Sequence, residues 1–261
     1  MLKDTQAKIT KKQSWPNYVL LSISSPQMAP QTQPGQFIMV RTSQDYHPLL
    51  RRPLSVFYAG ETHIEIFFQM VGIGTRLLGK MEPGDELDII GPLGKGFTLD
   101  TADHGKTAAL VGGGRGIAPL FFLAHRLCGR GIEARMYYGA KSLADLPLKK
   151  KIEENRFALS CATEDGSSGF RGLITEKLES DLDNLQPGII YACGPEAMLK
   201  TIAQTATKRD TPAELSLESM MGCGFGACWG CVKKIKNQGE INWTKICEEG
   251  PVVVADKIVW E

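Results

Sequence analysis

Long apolar runs, an excess of one charge and a leading apolar segment are all missing from this sequence. The longest apolar stretch, residues 117–124, is far shorter than the roughly 20 residues that span a bilayer. Thirty Lys and Arg residues oppose 29 Asp and Glu residues, and the net charge of +1 gives no bulk attraction to nucleic acid or anionic lipid. Residues 1–6 are polar, unlike a secretory signal. We therefore expect a soluble, cytoplasmic protein with no membrane or nucleic-acid partner.

Histidine is also scarce, which limits the chemistry that the chain can perform by itself. The four histidines, His47, His63, His104 and His125, are isolated from one another, and no local triad or acid–base pair stands out. We therefore predict no catalytic side chain here and expect any organic substrate to be oxidised on another polypeptide.

The texture of the 261-residue chain changes twice and predicts three parts. Residues 1–102 contain short apolar segments (18–23, 36–40 and 64–68) between turn residues, which is typical of a small antiparallel β-barrel. Residues 103–211 alternate predicted strands (107–111, 134–138, 189–192) with predicted helices (119–128, 149–155, 173–178, 196–205), the pattern of an α/β parallel sheet. Residues 212–261 are rich in cysteine, and we expect them to form a third module that is held together by a bound ligand.

Four of the seven cysteines crowd this third part with the spacing C-x4-C-x2-C-x15-C: Cys223, Cys228, Cys231 and Cys247. An odd total argues against a disulfide framework, and in a reducing compartment such a group is typical of a metal site. The spacing is that of plant-type ferredoxins, which predicts a [2Fe–2S] cluster. The interleaved glycines allow positive φ angles and a close approach of backbone N–H groups to sulfur.

Structural zinc is the competing ligand for these thiols. Zinc sites with four cysteines usually combine two C-x2-C pairs, and this chain has only one, at Cys228 and Cys231.

A glycine-rich turn follows the predicted strand 107–111 and opens a helix. Its glycines, Gly112, Gly113, Gly114 and Gly116, would expose backbone amides to a pyrophosphate. Cys193, Gly194 and Pro195 end a later strand at the carboxyl edge of the sheet, where open α/β folds bind ligands.

The predicted barrel carries two segments suited to anions. Residues 50–55 read Leu-Arg-Arg-Pro-Leu-Ser, and residues 72–75 read Gly-Ile-Gly-Thr. Cations, hydroxyls and a backbone nest at two places favour a phosphate-bearing cofactor.

Together these segments resemble the ferredoxin–NADP reductase superfamily, in which a flavin barrel precedes a nicotinamide domain. The 52–55 segment resembles its flavin-binding R-x-[YL]-S strand, 112–119 its G-G-G-x-G-x-x-P loop and 193–195 its C-G-P motif. More narrowly, the chain is similar to the electron-transfer subunits of class 1B dihydroorotate dehydrogenase. The turn at 90–97, the tail at 216–231 and the ending at 247–252 carry that similarity.

The resemblance implies three cofactors and their ligands. FAD would contact Arg52, Pro53, Leu54, Ser55, Phe67, Phe68, Gln69, Gly74 and Thr75; NAD would lie at the glycine loop and Cys193–Pro195; the four tail cysteines would hold the [2Fe–2S] cluster. Two departures stand out: Gln69 replaces an arginine common in the family, and Arg115 replaces a small or apolar residue.

A nicotinamide accepts two electrons as a hydride and a [2Fe–2S] cluster one at a time, so a flavin is needed between them. The resemblance implies an electron-transfer subunit that passes electrons from an FMN-containing, dihydroorotate-oxidising catalytic subunit through the cluster and FAD to NAD+, in pyrimidine biosynthesis. It also implies a heterotetramer of two subunits of each kind. The alternatives are a reductase subunit of a hydrogenase, a sulfur-reducing complex or a ferredoxin:NAD(P) complex, and, from another class, a zinc-stabilised binding module.

Overall fold

The computed structural model describes residues 1–100, 107–237 and 239–260. The chain divides into two compact units. One contains Met1–Gly96, Ser219–Lys233 and Thr244–Pro251, and the other contains Phe97–Glu218, Lys234–Trp243 and Val252–Glu261.

The first unit contains a closed barrel of six antiparallel strands in the order β1-β2-β5-β4-β3-β6. The strands are β1 (Leu2–Ser14), β2 (Tyr18–Ser24), β3 (Phe37–Arg41), β4 (Arg52–Ala59), β5 (His63–Gln69) and β6 (Glu86–Leu93). A short helix, α1 (Ile73–Gly79), joins β5 to β6. The predicted barrel is therefore confirmed. Sequence patterns missed β1, because its residues are largely polar and exposed while its pairing with β2 and β6 is tertiary.

The second unit contains a seven-stranded sheet in the order β10-β9-β8-β7-β11-β12-β15. Its strands are β7 (Ala108–Gly113), β8 (Ala134–Ala140), β9 (Ala158–Thr163), β10 (Phe170–Arg171), β11 (Ile189–Cys193), β12 (Ala213–Ser216) and β15 (Val252–Val254). All neighbours are parallel except β12 and β15, which are antiparallel. This confirms the predicted α/β class.

In the described part of this unit, four helices accompany the sheet: α2 (Ile117–Cys128), α3 (Lys149–Glu154), α4 (Ile174–Leu185) and α5 (Glu196–Lys208). Helix α2 packs on β7, β8 and β11, α4 packs on β7, β8 and β9, and α5 packs on β11 and β12. Nine of the twelve residues of α2 are buried, which explains why its sequence is almost continuously apolar.

Two strands of the sheet come from the stretch predicted as a separate cluster module, residues 212–261. β12 pairs with β11, and β15 pairs with β12 near the end of the chain. The boundary at residue 212 stays a prediction, and the sheet uses residues on both sides of it.

That stretch also contains a two-stranded hairpin, β13 (Val232–Asn237) and β14 (Glu240–Lys245), and the short helix α6 (Ile246–Glu249). Among the described residues, no helix is long and apolar enough to cross a bilayer.

Candidate functional site

The first three tail cysteines lie in a loop without regular secondary structure that ends at β13. Gly224 and Gly226 take φ angles of +84° and +86°, as the glycine spacing predicts. Trp229 also has a positive φ, +56°, although it is not a glycine. Such backbone strain in a bulky residue is typical of a functional loop.

Backbone amides approach the thiols in this loop. The N–H of Gly226 donates to Cys247 Sγ at 3.1 Å, and the N–H of Cys247 donates to Cys231 Sγ at 3.4 Å. Hydrogen bonds of this kind stabilise the negative charge of thiolates or of a bound cluster.

The thiols have contrasting acidities. The N–H of Gly230, with further hydrogen bonds from Cys223, lowers the pKa of exposed Cys228 to about 7. Burial, with a hydrogen bond to the Cys231 thiol, raises the pKa of Cys247 to about 12. Cys223 thus lies beside Cys228, and Cys231 beside Cys247. Within the described ranges, no group of three or more His, Cys, Asp or Glu side chains is arranged so that it could already hold a metal ion.

The cysteine loop is fastened to the barrel of the same unit. A Cβ on Gly224 would lie 2.5 Å from Cγ of Met39, so only glycine allows this contact. Met39 is fully buried on β3, where its partner on β4 is Pro53 of the predicted flavin strand.

A second attachment lies at the end of β6. The N–H of Lys95 donates to the carbonyl of Gly250 at 2.5 Å, and the ammonium group of Lys95 pairs with Glu249. Because Cys247 lies in the short helix α6 just before Gly250, this contact helps to position it.

Lys245 connects the loop and α6. Its ammonium group pairs with Glu248, donates to the carbonyl of Gly226 at 3.3 Å and lies 5.1 Å from the ring centre of Trp229. One cation therefore holds the loop, α6 and the strained tryptophan together.

The two neighbouring arginines of the predicted flavin segment have different roles. Arg51 donates to the backbone oxygen of Asp88 on β6 at 2.7 Å and to its carboxylate at 2.5 Å. Arg52 is directed elsewhere, with Nη1 donating to the carbonyl of Leu50 at 2.5 Å and Nε next to Gly74. Arg51 is thus a structural residue, whereas Arg52 faces the 72–75 loop, and its role as a flavin ligand stays a prediction.

Gly74 lies next to two side-chain groups of the barrel that can bind an anion, the guanidinium of Arg52 and the hydroxyl of Thr42. A Cβ there would lie 2.7 Å from Arg52 Nε and 3.1 Å from Thr42 Oγ1. The Thr75 hydroxyl is occupied locally, because it accepts from the N–H groups of Val71 and Gly72, each at 3.1 Å. Thr75 therefore shapes the loop.

The other predicted flavin residues lie on two barrel strands. Pro53, Leu54 and Ser55 are partly exposed on β4, whereas Phe67 and Phe68 are buried on β5. Phe67 stacks on Tyr18 with ring centres 5.5 Å apart. Gln69, at the end of β5, is partly exposed. Phe67 and Phe68 are consecutive on the strand and so point to opposite faces of it, where each is buried, whereas the side chain of Gln69 keeps some exposed surface.

In the second unit, the glycine loop and the Cys193–Pro195 segment meet. β7 and β11 are parallel neighbours, with Gly112 opposite Cys193. A Cβ on Gly113 would lie 2.8 Å from Pro195 Cδ, and Gly114 takes a φ of +52° with open space around it. The two motifs therefore form one surface at the carboxyl edge of the sheet, where such folds bind nucleotides.

Arg115 in this loop pairs with Glu218 at 3.3 Å, and both side chains are about half exposed. Sequence motifs had not assigned a role to Glu218. Nearby, burial raises the pKa of Cys193 to about 12, so its thiol stays neutral at physiological pH.

Sequence reasoning also missed Thr42 and Lys245. Neither belongs to a motif, and the contacts of Thr42 with Gly74 and of Lys245 with Gly226 join segments that are distant in the chain.

Known proteins match the chain over nearly its whole length. Residues 110–204 match the model of the oxidoreductase NAD-binding domain, and residues 218–259 match the iron–sulfur cluster binding domain of dihydroorotate dehydrogenase B. The dihydroorotate dehydrogenase B (NAD(+)) electron transfer subunit of Desulforamulus reducens is 37% identical over 94% of both chains. That of Bacillus caldolyticus is 39% identical over 92% of this chain and 91% of its own.

Solved structures show the same fold. An NADH-dependent reduced ferredoxin-NADP oxidoreductase superposes with a TM-score of 0.86 at 27% identity, over 98% of this chain and 91% of that one. A ferredoxin NADP+ reductase from Neisseria gonorrhoeae has a TM-score of 0.66 at 20% identity, over 78% of this chain and 91% of that one.

The barrel, the parallel sheet and the nicotinamide-type loop define an oxidoreductase of the ferredoxin–NADP reductase type. More narrowly, the chain belongs to the family of electron transfer subunits of NAD(+)-dependent dihydroorotate dehydrogenase B. The family resemblance recognised in the sequence is confirmed, and membership implies a separate catalytic partner subunit.

Proposed function

We propose that this chain carries electrons from an FMN-containing, dihydroorotate-oxidising catalytic subunit through a [2Fe–2S] cluster and FAD to NAD+, in pyrimidine biosynthesis. The proposal rests on the position of the cysteine loop against the barrel. Gly224 lies against Met39, and Met39 is paired with Pro53 of the flavin strand. This places the thiol loop one strand away from the strand proposed to bind the flavin.

The residues present fit the three groups. Four thiols with backbone N–H donors suit an iron–sulfur cluster, with Cys223, Cys228, Cys231 and Cys247 as its proposed ligands. Arg52 and Gly74 suit the diphosphate of FAD, and the glycine loop with Cys193–Pro195 suits NAD. When bound, FAD exchanges electrons singly and in pairs and so joins the cluster to the nicotinamide.

The protein contributes position and electrostatics. Lys245 and the N–H groups of Gly226 and Cys247 place positive charge around the thiols, which favours the anionic state of the site. Arg52 supplies the cation for a phosphate, and the close approach of Gly113 to Pro195 keeps side chains out of the nicotinamide surface.

Two assembly features belong to the same proposal. By analogy with the family, we expect two subunits of each kind in the complex. Free thiols at an iron–sulfur site suit a reducing compartment, which supports a cytoplasmic location.

The test is anaerobic isolation of the tagged chain from its native host, followed by addition of dihydroorotate and NAD+ to the co-purifying complex. We expect NAD+ reduction, its loss in Cys223→Ser and its retention in Cys128→Ser, which changes an exposed cysteine outside the loop. A complex bleached by NADH but inert to dihydroorotate would contradict the assigned partner.

A second candidate keeps the electron route and changes the partner. The likeness to a reduced ferredoxin-NADP oxidoreductase favours exchange with ferredoxin. Identification of the co-purified protein distinguishes the two candidates.

A further inference from the structure

Thr42 follows β3 and carries a buried hydroxyl with no hydrogen-bond partner. The residue is only 6% exposed, and its Oγ1 is one of three buried side-chain polar atoms without a partner among the described residues. Burying an unpaired hydroxyl is unfavourable, so such an atom needs a hydrogen-bond partner from outside the described residues.

Other threonines in the same unit show that this is unusual. The buried hydroxyl of Thr32 donates to the carbonyl of Met28 at 2.9 Å. The hydroxyl of Thr75 is saturated within its own loop. Of these three threonines, only Thr42 leaves its hydroxyl unused.

The Thr42 hydroxyl faces the place where the cofactor phosphates are proposed to lie. It lies 3.1 Å from the position of a Cβ on Gly74, and Arg52 Nε lies 2.7 Å from that same position. The hydroxyl of Thr42 and the guanidinium of Arg52, both hydrogen-bond donors, thus lie close to the same side of Gly74, where no side chain intervenes. An anionic oxygen is the partner that accepts from both donors.

We propose that Thr42 is a further flavin ligand whose hydroxyl donates a hydrogen bond to a diphosphate oxygen of FAD, beside the guanidinium of Arg52. This inference rests on the proposed function, because it takes FAD to be the occupant of the barrel site. It also explains Gly74, since any side chain there would occupy the space between the two donors.

The test is titration of FAD into the deflavinated full-length chain, followed by flavin fluorescence, for Thr42→Val and Thr42→Ser. A hydrogen bond to a charged acceptor corresponds to about 10- to 100-fold in the dissociation constant. We expect a loss of that size in Thr42→Val and near wild-type affinity in Thr42→Ser, which keeps the hydroxyl. Release of FAD from the diluted holoprotein should be faster by a similar factor in Thr42→Val.

Two further readouts separate ligand binding from folding. Without FAD, Thr42→Val should melt no lower than wild type, because it removes an unpaired polar atom, whereas Thr32→Val should melt lower and bind FAD normally. Riboflavin, which lacks phosphate, should bind wild type and Thr42→Val equally.

The outcomes distinguish this inference from the proposed function. Wild-type affinity in Thr42→Val, or equal losses in the valine and serine variants, would overturn the role of Thr42 alone. A wild-type chain that binds no FAD at all would overturn the flavin assignment as well.

Discussion

The Cα of Gly116 lies directly against the carbonyl oxygen of Cys193. A Cβ on Gly116 would stand 2.1 Å from that oxygen, far inside contact distance. This contact joins the glycine loop to the Cys193–Pro195 segment, and any side chain at residue 116 would push the two segments of the proposed nicotinamide surface apart.

Gly116→Ala should therefore damage NAD binding. The new methyl group must push the loop away from β11, and we expect the KM for NADH to rise at least about tenfold in a dye-reduction assay, with a loss of about 1–3 kcal/mol in the free energy of unfolding. Gly129→Ala is the control, because its nearest neighbouring atom would be 3.3 Å away, and it should leave the KM unchanged. An unchanged KM in Gly116→Ala would contradict the location of the site.

Gly226→Ala should impair retention of the iron–sulfur cluster. Gly226 has a φ of +86°, its N–H donates to Cys247, and a Cβ there would collide with the carboxyl group of Glu248 at 2.2 Å. We expect iron and acid-labile sulfide to fall by more than half per purified chain. Gly239→Ala has a similar φ of +90° but open space around it, so it should cost about 1–2 kcal/mol of stability and keep the cluster. Equal losses of iron and sulfide in both variants would show that backbone strain, and not the contact of residue 226 with Glu248, explains the effect.

Substitutions of the neighbouring residues Arg51 and Arg52 should have different effects, one on stability and the other on FAD binding. Arg51→Ala removes both hydrogen bonds to the largely buried Asp88, whose Oδ1 already lacks a partner among the described residues, and should cost about 1–3 kcal/mol in chemical unfolding. Arg52→Ala should leave the free energy of unfolding within about 1 kcal/mol of wild type and weaken FAD binding at least about tenfold. The opposite pattern would reverse the roles assigned to the two residues.

Glu214 should make the stability of the second unit depend on pH. Its buried carboxyl accepts from the N–H of Thr98 at 2.8 Å, and burial raises its pKa above the ordinary value. A raised pKa means that the folded state favours the protonated form, so the stability from this group is present at low pH and lost as pH rises through the folded pKa.

Relative to Glu214→Gln, the wild-type free energy of unfolding should therefore fall as pH increases from about 4 towards neutrality, measured by denaturant titration at several pH values. In the control variant Glu164→Gln, which changes an exposed residue, the free energy of unfolding should depend on pH as it does in wild type. Parallel curves for wild type and Glu214→Gln would contradict the assignment.

Much of this molecule could be predicted from local sequence. The apolar run of 117–124 lies in a buried helix, and the strands around Tyr18 and Ile189 fall where their periodicity indicates. The cysteine spacing and the glycine loop identified the class of chemistry, because cofactor ligands must come at set intervals along a tight loop.

Other features were decided only by the tertiary structure. The polar strand β1, the sheet strands β12 and β15 and the separate roles of Arg51 and Arg52 depend on partners far away in the chain. Thr42 belongs to no motif, and its unpaired hydroxyl becomes visible only when folding places it beside Gly74. The sequence by itself determined the fold class and the family, and its cysteine spacing predicted the thiol ligands, because these follow from local pattern and spacing. The fold decided that Arg51 pairs with Asp88 while Arg52 lies against Gly74, because burial and hydrogen-bond satisfaction are properties of the packed chain.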